Sequence, residues 1–316
     1  MPADRSGLAV ALTTFPAFYA ASMAAVGQLR AVHLGLAIAV PVAAIAHSRT
    51  RAALRTALPL FLIVYGFDIV KLLAPRLVGA GRVLGCELRR FEIAIFGVGN
   101  DRSIGDVFAE HHSTAFDLFF AIPYGGYIAF AAAHIVWLFQ TDRSRMHHFM
   151  WTLGVLHVLG FAAWLALPAA PPWYVRGYGC TIDMTVAPSA AALLRVDTAF
   201  GIHYFQSFYS QGATVFGAMP SLHCAVPMAG LATAWRSVGW PWRAVHAAYV
   251  GWMIVASVYL DHHWVLDGLA GWLVAIAGYR LTLGMADRLS GPDGGGGQRL
   301  QTVAAQTDVA RACPDG

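Results

Sequence analysis

The sequence predicts an all-α fold: a polytopic membrane helical bundle with about six core transmembrane helices plus one or two N-terminal helices. Three observations lead there. Of 316 residues, 58% are hydrophobic and only 12% charged, where soluble domains carry roughly 25% charged residues, and mean hydropathy is +0.56. The apolar residues gather in eight runs, several near the length of about 20 residues that spans a bilayer as a helix. Lys and Arg concentrate in alternate gaps between those runs, the asymmetry that marks the cytoplasmic side of a membrane protein.

The elements follow in order. The run at roughly 8–28 lacks a small-residue cleavage site and reads as a retained helix rather than a signal peptide. With the run at 31–47 it makes an N-terminal membrane segment over 1–52. Runs at roughly 54–74, 115–139, 149–168, 219–235, 244–260 and 264–286 make a second membrane domain over 53–289. From Ser290 the chain changes to SGPDGGGGQRLQTVAAQTDVARACPDG, whose glycines and polar residues predict a disordered tail over 290–316. Arg49, Arg51 and Arg55, then Arg143 and Arg145, then Arg236 and Arg243, and finally Arg280 and Arg288 fall on one side together with both termini. That side reads as cytoplasmic, so the long connections 75–114 and 169–218 face outward. The net charge of +4 is spread over turns and tails with no clustered basic face, which argues against nucleic acid as a partner. Cys86 and Cys180 lie in the two outward connections and leave two readings open, a disulfide in an oxidising compartment or two free thiols. Cys224 reads as packing inside a helix.

Two short stretches carry chemistry. In GAMPSLHCAVP (217–227), Pro220 suits a first helical turn, with Ser221 and His223 beside it. A helix N-terminus favours phosphate, and a histidine held there can protonate a departing oxygen. In YLDHHWVLDGLAG (259–271), His263 and Asp267 are four apart and share a helical face. A carboxylate bonded to one ring nitrogen fixes the tautomer and leaves the other nitrogen nucleophilic. An aspartate within a membrane helix is costly and marks a functional candidate. His262 is second choice to His263, Trp264 and Trp272 read as interfacial anchors, and Gly268 and Gly271 as sites of close helix packing.

Together the two stretches resemble the type-2 phosphatidic acid phosphatase superfamily. Pro220-Ser221-Leu222-His223 is similar to its Pro-Ser-x-His signature, and His263-Trp264-Val265-Leu266-Asp267 to its His-x-x-x-Asp. The resemblance implies that His263 attacks phosphorus to give a phosphohistidine, Asp267 orients it, and His223 protonates the leaving group. The chain departs from the phosphatase branch in lacking Lys-x6-Arg-Pro and in placing Ser257 where that branch has an arginine. YGFDIVKLLAP, FEIAIFG, FDLFFAIPY, ALPAAPPWY and AMPSLHCA, in that order over about 60–285, are instead similar to the inositol phosphorylceramide synthase and aureobasidin-resistance branch. This implies a lipid phosphotransferase that moves an inositol-phosphate-like headgroup between lipids, in a bacterial plasma membrane. The alternative is a lipid phosphate or polyprenyl pyrophosphate phosphatase with water as acceptor. A proton-relay transporter is a third reading, disfavoured because no repeat is evident.

Around phosphorus, Ser221, Lys71, Arg176, Asp117 and Tyr124 are the candidate substrate-binding residues, with Arg195 as a further outward cation. Asp68 one turn before Lys71 offers a simpler reading as a paired, snorkelling lysine. His111-His112 and His147-His148 read as solvated loop pairs, and His134, His157 and His246 as packing. No cofactor and no metal is expected: zinc on His223, His262 and His263 is conceivable, but Asp267 accounts for the cluster without it. The partners are then a phospholipid or polyprenyl-phosphate substrate and the membrane itself. The aromatic stretch FGIHYFQSFYSQGATVFGAMP reads as a water-excluding cover over the site.

Overall fold

A computed structural model describes residues 5–289, with side chains over 10–285. The tail read as disordered, 290–316, lies outside the described residues. Helix dominates throughout, and among the described residues β-structure is limited to isolated bridges joining Leu84, Ala169 and Gly217. The chain is an all-α polytopic membrane bundle.

Two compact units emerge, Met1–Phe61 and Leu62–Gly316. In the first, α1 (Arg5–Ala25) pairs with α2 (Ala31–Ala46), and Leu12, Val40 and Ala44 meet Leu54, Leu58 and Phe61 from the start of α3 (Ser48–Leu77). The second unit holds the rest of α3, then α4 (Cys86–Phe96), α5 (Ile104–Glu110), α6 (Thr114–Gly125), α7 (Tyr127–Thr141) and α8 (Arg143–Ala166). Three short helices follow, α9 (Pro172–Tyr178), α10 (Leu194–Phe200) and α11 (Tyr204–Tyr209), and then α12 (Leu222–Ala234), α13 (Trp240–Tyr259) and α14 (Val265–Leu289).

Among the described residues three helices, α3, α8 and α14, are long and apolar enough to cross a membrane, or four if α6 and α7 are one bent span. The run expected as a single helix at 115–139 is thus broken, with a bend of 48°. Gly125 and Gly126 remove side chains at the break and Pro123 removes a backbone donor just before it, so the helix cannot be carried through unbent.

Helix α12 is central, packed against α14, α8, α13 and α7. Its approach to α14 depends on glycine: a Cβ at Gly271 would lie 2.2 Å from the Ser221 carbonyl oxygen and 3.4 Å from the Ala225 nitrogen. Side-chain-free crossings of this kind let membrane helices touch backbone to backbone. The Ser221 N–H donates to the Asp267 carbonyl at 2.9 Å across the same contact, so the two chemistry-bearing stretches are joined by main chain. The structure also joins Cys86 to Cys180 as a disulfide, with Cα atoms 5.3 Å apart, while Cys224 is free and buried.

Candidate active site

His223 and His263 come from separate helices and meet, their ring centroids 5.7 Å apart. His223 sits in the first turn of α12, and the turn itself differs in register from the expectation. Ser221, not Pro220, begins the helix: it is the N-cap, and its hydroxyl accepts the Cys224 N–H at 3.3 Å. Pro220 precedes the cap, and its carbonyl accepts the Trp164 indole N–H at 3.1 Å.

His263 lies in the turn between α13 and α14, where the amides of His262 and His263 both donate to the Ser257 carbonyl. Its Nδ1 is 2.9 Å from the Ala218 carbonyl oxygen. A carbonyl only accepts, so Nδ1 carries the proton and Nε2 keeps its lone pair. That Nε2 has no hydrogen-bond partner among the described residues. The same ring nitrogen also faces Asp267, the partner expected from the sequence. Asp267 Oδ2 lies 3.6 Å from Nδ1, beyond hydrogen-bond range, because the same oxygen accepts the Trp264 N–H at 2.9 Å. Its Oδ1 is buried without a partner. A negative charge held this close to the ring favours positive charge on the imidazole.

Tyr124, fully buried, stacks on His223 with centroids 4.1 Å apart and lies 6.2 Å from His263. Tyr209 of α11 reaches His223 Nε2 at 3.4 Å. His262 is sandwiched by Tyr124 and Tyr209 and donates from Nε2 to the Ala190 carbonyl at 3.0 Å. Burial lowers its pKa to about 3, so it stays neutral and packs.

The cations are placed differently from one another. Arg176 donates to both oxygens of Asp261, at 3.1 and 2.8 Å, and to Asp106 at 2.8 Å. Asp261 precedes the histidine pair with left-handed backbone, φ +63, and burial raises its pKa despite the paired guanidinium. Burial also opposes ionisation of Asp106, but hydrogen bonds from Ser103 and the charges of Arg176 and Arg89 hold it below the usual carboxylate range. Asp117, 3% exposed, binds Arg195 through Nε at 2.9 Å and Nη2 at 2.7 Å and accepts from the Tyr259 hydroxyl at 3.0 Å. Lys71, half-buried on α3, makes no hydrogen bond or ion pair among the described residues. The structure thus brings His223, His263, Asp267, Ser221 and Tyr124 into one cluster, ties Arg176 to its turn, and joins Asp117 to it through Tyr259. It shows no such link for Lys71.

Other readings change. Trp264 is 3% exposed and donates to the Ala170 carbonyl at 3.0 Å, so it is packing rather than an interfacial anchor. His148 is not a solvated loop residue: its Nε2 meets the Thr282 hydroxyl at 2.9 Å. Glu92 was overlooked. It is 1% exposed, and its two oxygens accept the N–H groups of Val265 and Leu266 at 2.9 and 3.1 Å. The one available signal was its place in the apolar run FEIAIF, where an unpaired acid is costly.

Two cavities lie near the cluster, the first of them lined by its Tyr124. A smaller one, about 310 Å³, is lined by Tyr124, Tyr127, Phe205 and Tyr209. A larger one, about 760 Å³ and almost wholly apolar, begins about one turn along α12 from His223 at Val226 and Pro227 and runs to Trp137, Trp242 and Trp252. Among the described residues no group of three or more His, Cys, Asp or Glu is arranged to hold a metal ion.

The family model described as the PAP2 superfamily matches residues 88–281. The chain is 29% identical over 286 residues to phosphoinositol dihydroceramide synthase of Bacteroides thetaiotaomicron, covering 88% of this chain and 92% of that protein. It is 28% identical over 186 residues to inositol phosphorylceramide synthase of Candida albicans, covering 57% and 39%. It is 27% identical over 187 residues to the inositol phosphorylceramide synthase catalytic subunit AUR1 of Saccharomyces cerevisiae, covering 57% and 45%. The chain spans less than half the length of these two fungal relatives. No solved structure matches it.

Proposed function

The chain belongs to the PAP2 superfamily, and on that premise we propose that it is an integral membrane enzyme transferring an inositol-phosphate-like headgroup from a donor phospholipid to the hydroxyl of a ceramide-like acceptor lipid. The observation that carries this reading is the meeting of His223 with a His263 whose Nδ1 is held by the Ala218 carbonyl, the arrangement that leaves Nε2 as the basic nitrogen. His263 Nε2 attacks the donor phosphorus, the bond from phosphorus to the diacylglycerol oxygen breaks, and His223 gives that oxygen its proton. The headgroup phosphate is then held on His263. Next, His223 takes the proton of the acceptor hydroxyl, whose oxygen attacks phosphorus and releases His263. Asp267 steadies the charge on His263 in both steps.

Tyr124 orients His223 by stacking, Ser221 acts by capping the N-terminus of α12 where the phosphate arrives, and Asp117 holds Arg195 as a cation beside the turn. Lys71 remains the cation we assign to the headgroup phosphate. Arg176 spends three donor contacts on two carboxylates, and we assign it to support of the turn rather than to the headgroup. The large apolar cavity suits a lipid chain, and its aromatic walls support transfer over hydrolysis by keeping water away. Relatives named as phosphoinositol dihydroceramide and inositol phosphorylceramide synthases favour the transferase over the phosphatase. We place both termini in the cytoplasm and the site outside, in keeping with the Cys86–Cys180 disulfide, a bond of oxidising compartments.

The test is purified enzyme with a headgroup-labelled phosphatidylinositol and dihydroceramide. Label moving into the sphingolipid without matching release of water-soluble inositol phosphate or free phosphate supports the transferase. Release as the only product would sink it.

A further inference from the structure

We propose that Glu92 is a positioning residue for headgroup transfer, gripping the turn that carries His263 from its C-terminal side; this rests on the role of His263 given above. The argument begins with the faces of α4. Phe91 and Ile95 are 66% and 60% exposed and point away from the protein, while Leu88 and Glu92 are buried. An acid on the inner face of an amphipathic helix needs partners. Here they are the first two amides of α14, which no carbonyl of that helix can satisfy, at 2.9 and 3.1 Å. A carboxylate at this end also meets the positive pole of the helix.

The next amide back, that of Trp264, is taken by Asp267. Three successive amides immediately after His263 are therefore held by two carboxylates. On its other side the turn is held at Asp261 by the bidentate Arg176. The two grips share one frame, because α4 also carries Arg89, 3.2 Å from Asp106, which in turn binds Arg176. The Cys86–Cys180 disulfide ties the start of α4 to the segment just after α9. His263 thus hangs from six residues fixed at both ends, and no substrate contact is involved. Glu92 acts on the reaction only through the position of Nε2, and a misplacement of about 1 Å at a reacting atom can cost on the order of 100-fold in rate.

The test compares Glu92→Gln, Glu92→Asp and Val265→Pro in the full chain, with His263→Ala as reference. Gln offers one acceptor to two donors. Proline at the first helical position removes the Val265 donor while suiting helix initiation, so it loosens the same grip without leaving a misfit side chain. The proposal expects kcat to fall about 10- to 100-fold in Glu92→Gln and Val265→Pro, with KM for both lipids unchanged. It also expects the first-turnover burst of adduct on His263 to slow by the same factor, and Glu92→Asp to recover part of the rate. Wild-type kcat in folded Glu92→Gln or Val265→Pro overturns it, as does a loss seen only as a lower melting temperature. If Glu92→Gln does not fold, Val265→Pro decides. Activity surviving in His263→Ala would instead remove the assignment of the nucleophile, a separate failure.

Discussion

Replacing Gly271 with Ala tests whether the backbone contact between α12 and α14 sets the distance between the two histidines. The added Cβ would sit 2.2 Å from the Ser221 carbonyl oxygen and 3.4 Å from the Ala225 nitrogen. Ordinary contact begins at 3.4 Å, so the start of α12 must retreat by about 1.2 Å. Both neighbours are main chain, and no side chain can swing aside. The retreat breaks the 2.9 Å bond from Ser221 to Asp267 and carries His223 away from His263. A displacement of that size between reacting groups lowers kcat by about 100-fold or more. The comparison is Gly278→Ala on the same helix, whose Cβ would lie 3.2 Å from the Leu156 Cβ, a few tenths of an ångström from comfort. That variant loses some thermal stability and keeps its rate. Steady-state transfer assays on both proteins, each shown monodisperse and folded, check the reasoning. A folded Gly271→Ala enzyme turning over at the wild-type rate would refute it.

Three further predictions follow from the same geometry. Arg176→Lys keeps a charge but not a fork matched to Asp261 and Asp106, and kcat should drop about 10-fold with little change in KM; unchanged kcat would mean the turn does not need the clamp. Burial raises the pKa of Asp261, so acidification removes its pair with Arg176 before ordinary carboxylates titrate, and transfer fails on the acid side. The fold should persist there, because a carboxyl whose folded pKa is raised makes protonation favour the folded state, and that contribution is lost only as pH rises; pH–rate profiles beside circular dichroism read both. His262→Phe loses one hydrogen bond, at a cost of about 0.5–1.5 kcal/mol, because the Ala190 carbonyl still accepts the Leu193 N–H at 2.9 Å, and should retain transfer; complete inactivity would make His262 part of the chemistry.

The helical segments were legible because apolar runs and their charged gaps obey the bilayer's demands directly, and each expected run corresponds to a helix or to the bent pair α6–α7. The pairing of His223 with His263 was legible because both stand in compact, specific motifs. What could not be read are contacts to main chain and contacts across long separations. The Ala218 carbonyl that fixes the His263 tautomer has no side-chain signature, and neither do the amides that Glu92 caps from 173 residues away. Arg176 and Asp261 are 85 residues apart, so the arginine looked like an open phosphate ligand. Trp264 looked like an interfacial anchor because composition places indoles at membrane surfaces, whereas here its N–H finds a buried carbonyl.

The central claim is that phosphorus is carried on the Nε2 of His263 between two lipids. Rapid quenching of enzyme turning over labelled phosphatidylinositol, followed by peptide mapping under alkaline conditions that preserve nitrogen–phosphorus bonds, measures this directly. The account predicts an acid-labile inositol-phosphate adduct on His263 that forms and decays at rates matching kcat and vanishes in His263→Ala. An adduct on His223, or transfer proceeding with no adduct on any histidine, would contradict it.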